Sequence, residues 1–219
     1  MNALVTGVAG FIGSHLADAL LTRGARVTGL DCFTDYYARA IKEANLSGLH
    51  GRPDFRFVET AVQRADLRRL LDGVTHVFHL AAQAGVRKSW GRDFQIYSVN
   101  NVEATQALLE ACVGAPVDRF VYASSSSVYG DDTPIPMRED ALPRPVSPYG
   151  VTKLAAEQLF AVWGRTHAMR TVSLRYFNVF GPRQADDSPY TGVIALFARA
   201  LLEGRRPTIF GDGEQTRDF

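Results

Sequence analysis

Apolar positions along this chain follow two rhythms. Short runs of apolar and β-branched residues, at 3–7, 26–31, 55–59, 76–82, 119–125 and 171–177, alternate with longer stretches of helical period at 11–24, 65–73, 100–112 and 147–166. The first rhythm predicts strands and the second predicts amphipathic helices. Strands alternating with helices predict right-handed crossovers, hence an α/β fold with a doubly wound parallel sheet and helices on both faces. "HVFHLAA" has no alternating polar face, as a strand covered on both sides requires. "DDTPIPMREDALPRPVSP", rich in proline and charge, reads as a surface loop immediately before Tyr149. In such sheets ligands bind beyond the carboxyl ends of the strands, so the loops there are where chemistry is sought.

Composition narrows the partners. The 219 residues are 46% hydrophobic, enough for one sizeable core, and the formal net charge of +1 gives no electrostatic reason to expect nucleic acid or an anionic membrane. The first strand begins almost at Met1 and no apolar run is long enough for a bilayer, so a cytoplasmic protein is expected. Cys32 and Cys112 lack metal-ligand or disulfide spacing and are expected to be buried thiols; no metal site is predicted. The chain ends at "GDGEQTRDF", a turn followed by residues that look like the start of a strand, which reads as the amino-terminal part of a longer protein.

The segment "TGVAGFIGSHL" follows the first strand and opens a helix, so Gly7, Gly10 and Gly13 can form a tight turn, admit a pyrophosphate and let helix pack on strand. The helix amino terminus then faces the phosphates. Asp31, ending "RVTGLD", can accept hydrogen bonds from the adenosine ribose and repel a 2′-phosphate, which favours NAD over NADP; the plainer alternative is a turn aspartate.

Tyr149 and Lys153 stand four apart on a predicted helix and so share a face. An ammonium near the phenol lowers its pKa from ~10 and makes tyrosinate available as a general base. Such a spacing also occurs by chance, but the hydroxyl cluster of "FVYASSSSVYG" sits at a strand end facing the same crevice. Serine, tyrosine and lysine beside a nicotinamide supply a carbonyl donor, a base and a cation, which suits hydride chemistry.

These residues together resemble the extended short-chain dehydrogenase/reductase family, in particular its nucleotide-sugar epimerases and dehydratases. The likeness runs through "TGVAGFIGSHL", Asp31, "HLAAQAGVRKS", "NNVEAT", "SSSSVYG", Tyr149 with Lys153, "RYFNVFGPRQ" and "GDGEQTRDF". It implies a Rossmann-like NAD-binding domain over 1–178 and the beginning of a substrate lobe over 179–219. Besides the glycines and Asp31, it implies cofactor contacts from Phe11, Ile12, Leu80, Ala81, Ala82, Asn100, Tyr149, Lys153 and Phe177. Tyr149 would deprotonate the sugar 4-hydroxyl as hydride leaves to NAD, with Ser125 on the 4-oxygen and Ser124 or Ser126 as near alternatives. Arg87, Ser126, Asn178 and Arg217 would contact the UDP-sugar.

Where related dehydratases carry an Asp-Glu pair, this chain has Ser126 and Ser127, so elimination is disfavoured and 4-epimerisation is left. Glucuronate 4-epimerases of the family typically have threonine at the place of Asn178 and arginine at that of Ala185, groups suited to a carboxylate. A neutral UDP-hexose or its N-acetyl form is therefore the expected substrate, with UDP-glucuronate or a dehydratase reaction as the enzymatic alternative. An NAD-binding sensor without catalysis is the alternative of another class. Ala61 stands where relatives have an aspartate for the adenine amine, which predicts a weaker adenine contact. His79 reads as a packed histidine with a backbone partner, and Tyr129 and Tyr176 as flanking the crevice. Helices 94–112 and 149–166 resemble the family's homodimer bundle, with Leu108, Leu154 and Phe160 on their outer faces, which core packing could equally explain.

Overall fold

The computed structural model describes residues 1–185 and 192–216. Six parallel strands form one sheet in the order β3-β2-β1-β4-β5-β6. They are β1 (Asn2–Thr6), β2 (Arg26–Asp31), β3 (Phe55–Glu59), β4 (His76–His79), β5 (Arg119–Ser125) and β6 (Thr171–Tyr176). Connections run through α1 (Phe11–Thr22), α2 (Arg39–Leu46), α3 (Leu67–Leu70), α4 (Phe94–Tyr97), α5 (Ala104–Ala111) and α6 (Pro148–Thr166). A last helix, α7 (Val193–Leu202), follows the sheet. The order reverses at β1, whose neighbours are β2 and β4, so a crevice opens beyond the carboxyl ends of β1 and β4.

Alternation along β1 builds two cores. Ala3 and Val5 pack with Ala17, Leu20 and Leu21 of α1 and Leu46 of α2. Leu4, turned to the other face, joins Val77, Phe120, Tyr122, Leu108, Leu109 and Phe160. Leu108 and Phe160 are therefore core residues, at 0% and 1% exposure, so of the two readings of these positions core packing holds and an outer dimer face does not.

The other differences are local. The helix predicted at 65–73 is one turn, α3, capped where Asp66 accepts from the Arg69 amide at 3.1 Å. α2 and α7 lie outside the periodic stretches named above. Between α4 and α5 the chain winds as a π-helix over Ser98–Glu103, a rare form frequent at functional sites. Residues 131–147 contain neither helix nor strand, as predicted. Ser147 ends this loop as the cap of α6: its Oγ accepts from the Gly150 amide at 3.1 Å, and Pro148 takes the first helical position. Tyr149 is thereby fixed in the first turn.

Candidate active site

The turn after β1 is built by close backbone approach. Gly7 has φ +74°, a conformation costly for other residues, and its amide donates to the Leu30 carbonyl at 2.8 Å. A Cβ on Gly13 would lie 2.1 Å from the Gly7 carbonyl oxygen, so only glycine lets α1 start this near the strand. Gly10 caps α1 with no side-chain bond, which leaves amide donors of the first turn for a ligand. At the end of β2, Asp31 accepts from the Ala9 amide through Oδ2 (3.1 Å) and from the Phe33 amide through Oδ1 (2.9 Å). Its carboxylate is thus held at the rim of the same crevice.

That crevice is an open cleft of about 330 Å³. Gly7, Gly10, Phe11, Ile12, Gly13, Asp31, Leu80, Ala81, Ala82 and Asn100 line it, whereas Tyr149, Lys153 and Phe177 are not among its lining residues. The cradle that a Cβ would fill, the uncapped helix end and the fixed carboxylate fit a dinucleotide. Thr60, Val62 and Gln63 line the cleft on either side of Ala61. Cys32 also lines it and is exposed, contrary to the expected burial, because it follows β2 at the cleft mouth; Cys112 is buried in the core.

Beyond β5 the serine run separates by direction. The Ser124 hydroxyl donates to Glu157 Oε1 at 2.5 Å, so it is committed away from the cleft. Ser125 lies at the strand end, where it acts to lower the pKa of the Tyr149 phenol, and accepts from the Ser127 amide at 3.1 Å. Ser126 and Ser127 occupy the short 3-10 turn that follows. Burial raises the Tyr149 phenol above its usual pKa, with the Ser125 hydroxyl acting the other way. Lys153, only 3% exposed, donates to the Ala123 carbonyl at 2.7 Å and lies 4.7 Å over the Tyr122 ring. Burial brings its ammonium down to about 7, opposed by the Glu157 carboxylate. The sequence reading had Lys153 lowering the phenol. In the structure the ammonium is spent on Ala123, and burial of Tyr149 wins.

The remaining sequence candidates are more scattered. Phe177 and Asn178 are exposed after β6, and the Phe177 ring sits 6.3 Å from that of Tyr129. Tyr129 is buried under the Arg175 guanidinium, 4.7 Å away, which makes it a wall residue. Tyr176 is half-buried, and that burial raises its phenol. Arg87 is exposed on the loop after β4, away from the cleft lining, whereas Ala185 lines the cleft. Arg217 lies outside the described residues. Among the described residues no group of His, Cys, Asp and Glu could hold a metal, and no helix is long and apolar enough to cross a membrane.

Sequence reasoning missed Asn101. Its side chain accepts from the Gln83 amide (2.7 Å) and donates to the Gln83 carbonyl and Thr152 Oγ1 (both 3.0 Å). The π-turn thus ties the cleft loop after β4 to the residue preceding Lys153. Asparagine in "NNVEAT" was visible, but nothing local distinguished it from its neighbour.

His79 is packed as expected, but its partners are hydroxyls rather than backbone. Thr105 donates to the Asn101 carbonyl (2.6 Å), so its oxygen accepts from His79 Nε2 (3.0 Å), and Thr6 then donates to Nδ1 (2.7 Å). Burial, with Lys153 assisting, depresses the imidazole to about 3. Protonation is then taken up by the unfolded chain first, so stability is full above pH ~6.5 and falls as pH drops toward 3. Unfolding free energy should lose about 1.4 kcal/mol per pH unit between pH 6 and 4, a slope that His79→Asn removes. Parallel urea titrations of both proteins check this.

A parallel sheet of order 3-2-1-4-5-6 and a glycine cradle after its first strand are those of the short-chain dehydrogenase/reductase type. The model of the NAD dependent epimerase/dehydratase family matches residues 3–219, and the chain belongs to that family. An uncharacterized UDP-glucose epimerase of Bacillus subtilis is 44% identical over 220 residues, covering 100% of this chain and 68% of its own length. UDP-glucuronate 4-epimerase 3 of Arabidopsis thaliana is 39% identical over 225 residues, covering 100% of this chain and 51% of its own. The crystal structure of UDP-glucuronic acid 4-epimerase from Bacillus cereus, in complex with UDP-glucuronic acid and NAD, matches with TM-score 0.92 and 46% identity over 100% of this chain and 68% of that one. The chain thus spans from about half to two thirds of these proteins.

Proposed function

We propose that this protein is an NAD-dependent UDP-sugar 4-epimerase, an isomerase, with UDP-glucuronate as its preferred substrate. The observation that carries the reading is the match, over the whole chain, to an enzyme solved with UDP-glucuronic acid and NAD. This reverses the preference drawn from Asn178 and Ala185. A neutral UDP-hexose stays as the second reading because Ala185, a cleft-lining residue, offers no charge to a carboxylate.

When bound, NAD accepts and returns the hydrogen at sugar carbon 4. Gly7, Gly10 and Gly13 with the first turn of α1 hold its pyrophosphate, and Asp31 holds the adenosine ribose. Tyr149 takes the proton of the 4-hydroxyl and gives it back once the 4-keto sugar has turned over. Ser125 keeps the 4-oxygen and the phenol in line, and Lys153, held on the Ala123 carbonyl, would bind the nicotinamide ribose. Ser126 and Ser127 carry no carboxyl group to assist loss of a hydroxyl, which supports epimerisation over dehydration.

Residues 1–178 form the cofactor domain in this reading, and 179–219 open a substrate lobe. Two copies pair through the outer faces of α4 and α6, where Phe94, Ile96, Val151 and Val162 are exposed. The test is incubation of the full-length protein, without added NAD, with UDP-glucuronate, UDP-glucose and UDP-N-acetylglucosamine separately. Chromatography should show the 4-epimer of UDP-glucuronate formed at least about tenfold faster than the others, as expected of charge-assisted recognition. Faster conversion of a neutral sugar would install the second reading, and a 4-keto-6-deoxy product would overturn epimerisation.

A further inference from the structure

Behind the cleft, α6 and β6 bury an ion pair that the proposed mechanism does not use. Glu157 stands one helical turn after Lys153 on the same face of α6, and the two are 8% and 3% exposed. Its carboxylate accepts from Arg175 Nη2 at 2.9 Å and Nε at 3.1 and 3.3 Å, and from the Ser124 hydroxyl at 2.5 Å. Arg175 in turn lies over the Tyr129 ring and donates to the Glu139 carbonyl at 3.3 Å. Two strands and a helix therefore converge on one carboxylate, one helical turn from Lys153.

We propose that Glu157, balanced by Arg175, is a positioning residue that fixes the charge and place of Lys153 from behind the active site. This rests on the epimerase reading only in giving Lys153 a part in turnover.

The surroundings of Lys153 leave few other sources of charge. On β4, His79 is neutral above pH 6 because burial depresses it to about 3. On β5, Tyr122 is raised well above its ordinary value by burial, and Tyr149 on α6 is raised as well, so neither supplies a standing negative charge to the resting site. Tyr97 of α4 faces Tyr149 edge-on. Glu103 of the π-turn and Glu110 of α5 are exposed. The turn after β5 presents serines. On β6, Tyr176 is raised by burial, and Arg175 is the remaining charge, held by Glu157.

An ammonium in so dry a place loses its proton unless a negative charge offsets the desolvation. Glu157 is that charge, and Arg175 limits it, so the pair sets how much of Lys153 is cationic near neutrality. Ser124 pins the carboxylate to the strand that also carries the Ala123 carbonyl, the acceptor of Lys153. One strand end thus holds both the ammonium and its counter-charge.

Opposite substitutions should move Lys153 in opposite directions. Glu157→Gln leaves Arg175 uncompensated and should shift the alkaline limb of turnover down by at least about one pH unit, a tenfold loss above the wild-type midpoint. Arg175→Gln leaves Glu157 uncompensated and should shift the limb up, while Arg175→Lys keeps the charge and the wild-type midpoint. The same midpoints are read without turnover by ¹³Cε and ¹⁵Nζ NMR of lysine-labelled full-length protein, the Lys153 signal assigned by its loss in Lys153→Arg. Opposite shifts establish the proposal. Losses of activity or stability in both variants with an unmoved Lys153 midpoint, or shifts of one sign, overturn it. Should Glu157→Gln fail to fold, the contrast of Arg175→Gln with Arg175→Lys decides alone. A wild-type protein that converts no UDP-sugar, with variants whose Lys153 midpoints move as stated, would overturn the epimerase reading and leave this one standing.

Discussion

Replacing Tyr149 with phenylalanine is expected to lower kcat on the preferred UDP-sugar by about 10³-fold while NAD stays bound. The ring is retained, so its edge contact with Tyr97, 6.2 Å between centroids, and the first turn of α6 survive the change. What is lost is one oxygen, the partner of Ser125 at the end of β5. No neighbour can replace it. Ser125 is a hydroxyl without a base of its own, the Lys153 amine is directed at Ala123, and Glu157 is held by Arg175 and Ser124. Epimer formation followed by chromatography gives kcat, and release of nucleotide from heat-denatured protein gives NAD content. A loss below about tenfold with NAD retained would remove Tyr149 from proton transfer, since general-base contributions are typically 10²–10⁴-fold.

The second large effect lies at the other end of the cleft. Gly13→Ala should abolish NAD retention and cost about 3 kcal/mol of folding stability, because overpacking against backbone cannot be relieved by a side-chain rotation. The added Cβ would meet the Gly7 carbonyl oxygen at 2.1 Å and its carbon at 2.8 Å, so α1 must withdraw from β1 and open the phosphate cradle. Gly48→Ala is the control: its Cβ meets nothing within 4 Å, and stability and NAD content should be unchanged. Denaturant unfolding and the nucleotide assay measure both variants. Retained NAD in Gly13→Ala would show that the cradle has another form.

Much of this arrangement is written in short range. A glycine pattern between strand and helix, an aspartate ending the next strand, and the Ser147 and Pro148 start of α6 are local devices whose physics needs only neighbours in sequence. The same holds for the sheet, whose crossovers follow from alternating strands and helices. Local pattern served less well where the answer depended on distant partners. His79 and Asn101 are unremarkable in sequence; one is pinned by hydroxyls of β1 and α5, the other bridges the loop after β4 to α6. Cys32 is apolar enough for a core, yet the end of β2 delivers it to the cleft.

The sequence by itself determined the class of fold, the glycine cradle and the residue types of the proposed reaction, because each depends on spacing along one element or one turn. Tertiary structure alone decided direction. Ser124 and Ser125 are adjacent and chemically identical, and only the packing of α6 against β5 sends one to Glu157 and leaves the other with Tyr149. The sign of the Tyr149 shift was likewise a matter of burial against contact, and how much water a folded crevice excludes is not a property of any one segment.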